Sequence, residues 1–129
     1  MRISVCHCLA CQRRTGSAFG VQARFPSERV RAAGEAAIYE RRGDSGGAAR
    51  FRFCPRCGAT VYWTTAPPGQ PPGEAPHAVP GEPGGAVADL VAVAVGAFAD
   101  PAFPPPSVSV YEERQHAFVQ LGGTIEHFA

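Results

Sequence analysis

Apolar and β-branched residues fall in short runs, separated by glycine, proline and charged clusters, and no run sustains a helical period beyond two turns. Residues 1–5 form the end of a strand. Leu9 to Arg14 continues as a short helix that Thr15-Gly16-Ser17 stops, with Gly16 suited to a left-handed cap. Phe19 to Phe25 is predicted as a strand that Pro26 ends, followed by short strands at Arg29 to Ala32 and Ala37 to Arg41. Gly43-Asp44-Ser45-Gly46-Gly47 is a hairpin connection, and Ala49 to Phe53 is the strand that delivers Cys54. Thr60-Val61-Tyr62-Trp63-Thr64 is β-branched and aromatic, the composition that packs best on a pleated surface. Val87 to Phe98 is a central strand, Ser107 to Tyr111 a short one, and Phe118 to Leu121 a last strand or extended edge. Asp100-Pro101 and Phe103-Pro104-Pro105-Pro106 form a turn or polyproline segment between them. The class is mainly β. Residues 66–86 are proline, glycine and small residues, which cannot build a core and predict a mobile surface loop.

Composition narrows this little. A chain of 129 residues with 45% hydrophobic content suits a single domain, 1–129, with a modest core. No apolar run approaches the roughly 18 residues of a membrane helix. The longest, Leu90 to Ala99, is interrupted by Gly96. Met1-Arg2-Ile3-Ser4-Val5 runs straight into cysteines without the regions of a signal peptide, which predicts a cytoplasmic chain with reduced thiols. The net charge is +1 and there is no Lys/Arg run, which argues against a nucleic-acid partner. All 12 basic residues are Arg, and with abundant Ala, Gly and Pro this is the mark of GC-rich coding, so no single Arg stands out.

The cysteines change the picture. All five lie in two clusters, Cys6-His7-Cys8-Leu9-Ala10-Cys11 and Cys54-Pro55-Arg56-Cys57-Gly58. Spacings of C-x-C-x-x-C and C-x-x-C suit a tetrahedral zinc ion in a reducing compartment, and an odd cysteine count argues against full disulfide pairing. Strand, knuckle, strand around Cys54 and Cys57 is the shape of a zinc ribbon. Two arrangements remain open. One zinc takes Cys54, Cys57 and two of the first cluster, or Cys6, Cys8 and Cys11 form a three-thiolate site while Cys54 and Cys57 form half of another. A three-ligand site keeps a position open for an incoming group. Its net charge near −1 makes it a poor Lewis acid for hydrolysis but a good acceptor for a thiol. His7 sits between two ligands, and alternation points it away from them. His77, His116 and His127 are packing or surface residues, and Glu112-Glu113-Arg114 is a solvated or ion-paired turn. Arg13 and Arg14 are helix residues that either counter thiolate charge or bind a carboxylate.

Cys6-His7-Cys8-Leu9-Ala10-Cys11-Gln12-Arg13-Arg14-Thr15-Gly16-Ser17-Ala18-Phe19-Gly20 resembles the signature of the glutathione-dependent formaldehyde-activating enzyme family, which includes centromere protein V. Phe53-Cys54-Pro55-Arg56-Cys57-Gly58, Val95 to Pro101, and Ser109 to His116 resemble later blocks of that family in the same order. The resemblance implies a β-tent of small antiparallel sheets around zinc knuckles. It implies a catalytic or glutathione-responsive zinc site at Cys6, Cys8 and Cys11, and half of a structural zinc site at Cys54 and Cys57. The other half in the family comes from an upstream C-x-C, and only five residues precede Cys6. The expectation is therefore a chain that lacks the family's first strands, with Cys54 and Cys57 as a weak two-ligand site. Structural zinc contributes on the order of 10 kcal/mol to small domains of this kind. The implied activity is carbon–sulfur lyase-type: joining glutathione or a similar thiol to formaldehyde or a similar aldehyde as an S-hydroxymethyl adduct, with Arg13 or Arg14 orienting a glutathione carboxylate. The alternative is a non-catalytic zinc module that binds a thiol or a protein partner.

Overall fold

The computed structural model describes residues 1–73 and 90–129. Among them are eight strands and one α-helix: β1 (Arg2–Cys6), α1 (Leu9–Thr15), β2 (Gly20–Pro26), β3 (Ala37–Arg42), β4 (Ala48–Phe53), β5 (Thr60–Ala66), β6 (Leu90–Ala94), β7 (Val108–Val110) and β8 (Glu126–His127). The mainly-β expectation holds. No helix of the described residues is long and apolar enough to cross a membrane. The chain divides into two compact units, Met1–Ala23 with Ala94–Ala129, and Arg24–Val93.

In the first unit the strand order is β2-β1-β7-β8. The resemblance implied antiparallel sheets, but β1–β7 and β7–β8 are parallel, with Ser4 opposite Val108, Cys6 opposite Val110 and Val108 opposite Glu126. Parallel pairing requires long connections, and the first pair is joined by a stretch of about a hundred residues that includes the other unit. Ile3, Val5, Ala23, Val108 and Val119 form the apolar core of this unit. Ser4, Gln22 and Ser109 are buried with them, and Gln22 Nε2 donates to Ser4 Oγ at 2.9 Å.

The second unit is an antiparallel meander in the order β3-β4-β5-β6. The Gly43–Gly47 turn closes its first hairpin as the sequence predicts, with Gly43 N–H donating to the Gly47 carbonyl at 2.7 Å and Gly46 at φ 81°. Alternation puts Phe51 and Trp63 across from each other on one face, ring centroids 5.5 Å apart, with Tyr39 stacked on Phe51. Phe51 and Trp63 are buried, and Ala92 covers Trp63 from the next strand.

Three predicted strands differ. Arg29 to Ala32 is a 3-10 turn at Ser27–Arg29 followed by extended chain, because Pro26 and Gly34 bracket a stretch with one β-branched residue, Val30. Val87 to Phe98 is a strand only over Leu90–Ala94. Val95–Phe98 is a 3-10 turn ending on Ala99 at φ 50°, and 87–89 lie outside the described residues. Phe118 to Leu121 forms no strand; only Val119 is buried there, and the pairing falls to Glu126–His127. In the predicted loop 66–86, residues 74–86 and His77 among them lie outside the described residues. The first part is anchored: Thr64 Oγ1 donates to the Gly73 carbonyl at 2.9 Å and Pro72 is buried.

The Phe51–Trp63 pair makes the second unit sensitive to truncation. Trp63→Ala is expected to cost about 3–5 kcal/mol, read as a lower urea midpoint at unchanged slope, whereas Val61→Ala at an exposed position on the same strand should stay within about 0.5 kcal/mol.

Candidate metal centre

β1 carries the chain to Cys6, and the N–H of His7 donates to the Val110 carbonyl at 3.0 Å, which fixes the strand end against β7. The backbone then turns at Cys8, extended at φ −60° and ψ 147°, and enters α1. Cys8 is the helix cap: its sulfur accepts from the N–H of Cys11 at 3.4 Å. A cap residue and the third residue after it share one helix face, so Cys8 and Cys11 face together. Gly16, at φ 63° and ψ 26°, ends the helix with the left-handed cap read from the sequence.

The sulfurs of Cys6, Cys8 and Cys11 all lie within 4.8 Å of one another. Ligands of a tetrahedral zinc at about 2.3 Å stand about 3.8 Å apart, so small side-chain rotations close the three sulfurs on an ion. The donor set is three soft thiols, the set that selects zinc-like metals over magnesium or calcium. Cys6 is buried, and Cys8 and Cys11 are half-buried. The site therefore fits the metal that its spacing suggests.

Electrostatics divide the thiols. A hydrogen bond from the Cys6 thiol, offset in part by burial, pulls Cys11 down to about 5, with help from Cys8 and the Arg14 guanidinium. Cys6 is pushed up, first by donating that hydrogen bond and then by burial. The shared hydrogen bond thus favours the proton on Cys6 and the negative charge on Cys11.

His7 points away from the sulfurs, as alternation requires, and is not part of their group. It is fully buried, edge-on to Phe19 at 5.9 Å, with Nε2 3.2 Å from Ser109 Oγ. Ser109 in turn hydrogen-bonds the Glu112 carboxylate. If the Ser109 hydroxyl donates to Glu112, the His7 Nε2–H must donate to Ser109. That leaves Nδ1 unprotonated, and Nδ1 is the buried atom without a partner. Burial also holds His7 below its ordinary pKa, in the neutral form.

Gln12 is the residue that sequence reasoning missed. Its amide donates to the His7 carbonyl at 2.7 Å and to the Arg114 carbonyl at 3.0 Å, and its Oε1 lies 2.9 Å from His116 Nε2. One side chain ties the knuckle to a turn 102 residues away. The available signal was its place directly after the third cysteine. His116 and His127 are exposed, as expected, yet each has a partner, His127 Nδ1 lying 2.6 Å from Glu112 Oε1. Glu113 and Arg114 form the ion-paired turn at 3.2 Å.

Arg13 is exposed on the last turn of α1. Arg14 is half-buried beside Cys11, close enough to Gly20 that a Cβ there would meet its Nη2 at 3.1 Å. Cys54 and Cys57 lie in the second unit and, among the described residues, belong to no group of three ligands. Their knuckle is formed nonetheless. Gly58 at φ 73° closes it, its N–H donating to the Cys54 carbonyl at 2.8 Å, and the N–H groups of Arg56 and Cys57 hold the Cys54 thiol below its ordinary pKa.

A mainly-β chain that ends its first strand in three convergent thiols has a knuckle-type thiol cluster that could hold a metal ion. Residues 1–74, which include both cysteine clusters, match the sequence model described as "Glutathione-dependent formaldehyde-activating enzyme", and the chain belongs to that family. A comparison with curated proteins finds no match.

Two outcomes follow. Gln12→Ala removes three hydrogen bonds, one of them to the knuckle, and is expected to cost about 1–3 kcal/mol and to speed zinc loss to a chelator, read by a colorimetric zinc indicator. Glu112 is held below its ordinary value of 4.5, first by Ser109 and then by His127. Its depressed pKa stabilises the fold above 4.5, and that contribution is lost as pH falls below it. Glu112→Gln should therefore flatten the acid limb of the stability–pH curve below about 4.5, measured by urea midpoints.

Proposed function

We propose that the protein is a carbon–sulfur lyase-type enzyme, S-(hydroxymethyl)glutathione synthase-like, that joins glutathione or a similar thiol to formaldehyde or a similar aldehyde. The observation that carries this reading is a group of three convergent thiols that, among the described residues, has no fourth protein donor in it, in a chain of this family. A zinc ion held by Cys6, Cys8 and Cys11 would supply an open coordination position and lower the pKa of a thiol that takes it.

The chain's own residues then have separate tasks. Arg14 beside Cys11 favours the deprotonated donor. Arg13, exposed on the same helix turn, orients a carboxylate of glutathione, with Arg14 as the second cation. Neutral His7 and Gln12 hold the knuckle rigid from behind. In the addition the thiol sulfur bonds to the carbonyl carbon, the carbonyl π pair moves to oxygen, and oxygen takes a proton in place of the one the thiol gives up. No oxidant or reductant enters. The reading places the protein in the cytoplasm, where glutathione and reduced thiols coexist, with neither nucleic acid nor membrane as partner.

NMR exchange spectroscopy of an equilibrating formaldehyde–glutathione mixture tests it. Zinc-loaded protein should raise the exchange rate well above the uncatalysed background, and Cys11→Ser should abolish the gain. Arg13→Ala should raise the KM for glutathione on the order of threefold, as expected for an exposed charge pair. An exchange rate equal to background would refute the enzymatic reading and leave the non-catalytic zinc module.

A further inference from the structure

The second unit holds a cavity of about 430 Å³ whose walls include Ala32, Ala36, Val61, Tyr62, Arg52 and Glu35, with Cys54 of the second knuckle also on its lining. The activity proposed above does not use it. Its unusual feature is Arg52, which is only 3% exposed. A buried guanidinium carries five N–H donors and a charge that is costly to leave uncompensated.

The strand register explains why Arg52 lacks an acid. In β4, Arg50 and Arg52 point to the same face. Arg50 stands opposite Glu40 and pairs with it. Arg52 stands opposite Ile38 on one side and Tyr62 on the other. Neither offers a carboxylate. Its guanidinium carbon sits 5.4 Å from the centre of the Tyr62 ring, and one nitrogen reaches the Arg50 carbonyl at 3.4 Å. Among the described residues no Asp or Glu lies within ion-pair distance of it. None of its nitrogens is sealed from solvent without a partner. The donors that lack a partner therefore lie on the small part of the residue that stays accessible, and Arg52 and Tyr62 together wall the cavity.

We propose that this cavity is a binding site for a small monocarboxylate, with Arg52 as its anchor. The guanidinium fork matches a carboxylate, and the ring of Tyr62 holds the fork in plane. The alanines and Val61 accept a short apolar body. Exposed Glu35 on the wall disfavours a dianion, which selects a singly charged carboxylate over phosphate. The site is independent of the thiol–aldehyde reading, because its readout is binding and involves none of Cys6, Cys8 and Cys11.

The whole 129-residue chain, labelled for observation of arginine side-chain N–H signals, is titrated with propionate, with propionamide as the neutral isostere and with inorganic phosphate. Propionate should shift the Arg52 Nε–H and Tyr62 ring signals saturably. Propionamide should not, and phosphate should bind more weakly than propionate. Arg52→Met should weaken propionate binding about ten- to hundredfold, the loss of a charge-assisted pair. Where Arg52→Met does not fold, Glu35→Gln serves: removal of the opposing surface charge should tighten propionate about twofold to threefold. Absence of a saturable shift with propionate, equal shifts with propionamide, or tighter binding of phosphate would each overturn the proposal.

Discussion

Six consecutive residues must bring three sulfurs within 4.8 Å of one another, and the first unit is arranged around that demand. Like charges at that separation repel by about 3–4 kcal/mol at a protein-like dielectric. The hydrogen bond from Cys6 to Cys11 eases this by favouring the proton on Cys6 and the negative charge on Cys11. Convergence is imposed from outside the cluster. β7 holds the end of β1, Cys8 is committed as a helix cap, and Gln12 fastens the His7 carbonyl to the Arg114 turn. Each of these fixes the backbone of the knuckle, the first through main-chain groups and the other two through side chains that bond the main chain.

The second knuckle uses the same residue type under different constraints. It sits at the end of β4 where the register with β5 slips between Arg52 and Phe53, and the slip lets the chain turn around Cys54. Backbone N–H groups, rather than a neighbouring thiol, are the first cause that favours its thiolate. Cys57 is exposed, whereas Cys6 is buried among the residues of the first unit. One cluster is thus built inward from a core and the other outward from a hairpin tip.

How much of this was legible follows from the range of the interactions. Local signals read well: the Gly16 cap, the Gly43–Gly47 turn, the aromatic strand at Thr60–Thr64 and the convergence of Cys6, Cys8 and Cys11 depend on neighbours in sequence. The resemblance then named the family that the match over residues 1–74 supports. What failed was set by distant pairing. β1 and β7 lie side by side in parallel although about a hundred residues separate them, and no local pattern announces such a partner. Phe118 to Leu121 had the apolar composition of a strand, but the place beside β7 went to Glu126–His127, whose composition gives no hint of it. Gln12 and Ser109 were invisible for the same reason, since their partners lie 102 residues away.

Arg50 and Arg52 show how little separates a satisfied charge from an available one. Both come from a strand of alternating Arg and Phe, and composition gives them equal standing. A register fixed by the Gly43–Gly47 turn puts Glu40 opposite the first and Ile38 opposite the second. A one-residue slip would move every side chain of β3 to the other face and withdraw Glu40 from Arg50 as well. The same turn that closes the hairpin therefore decides which guanidinium is spent on an ion pair and which remains in the cavity wall. Tyr62 keeps that second guanidinium tolerable within the unit, because a ring face attracts the cation without consuming its N–H donors. A buried arginine stacked in this way costs the fold less than an isolated charge while retaining the donors that a carboxylate needs.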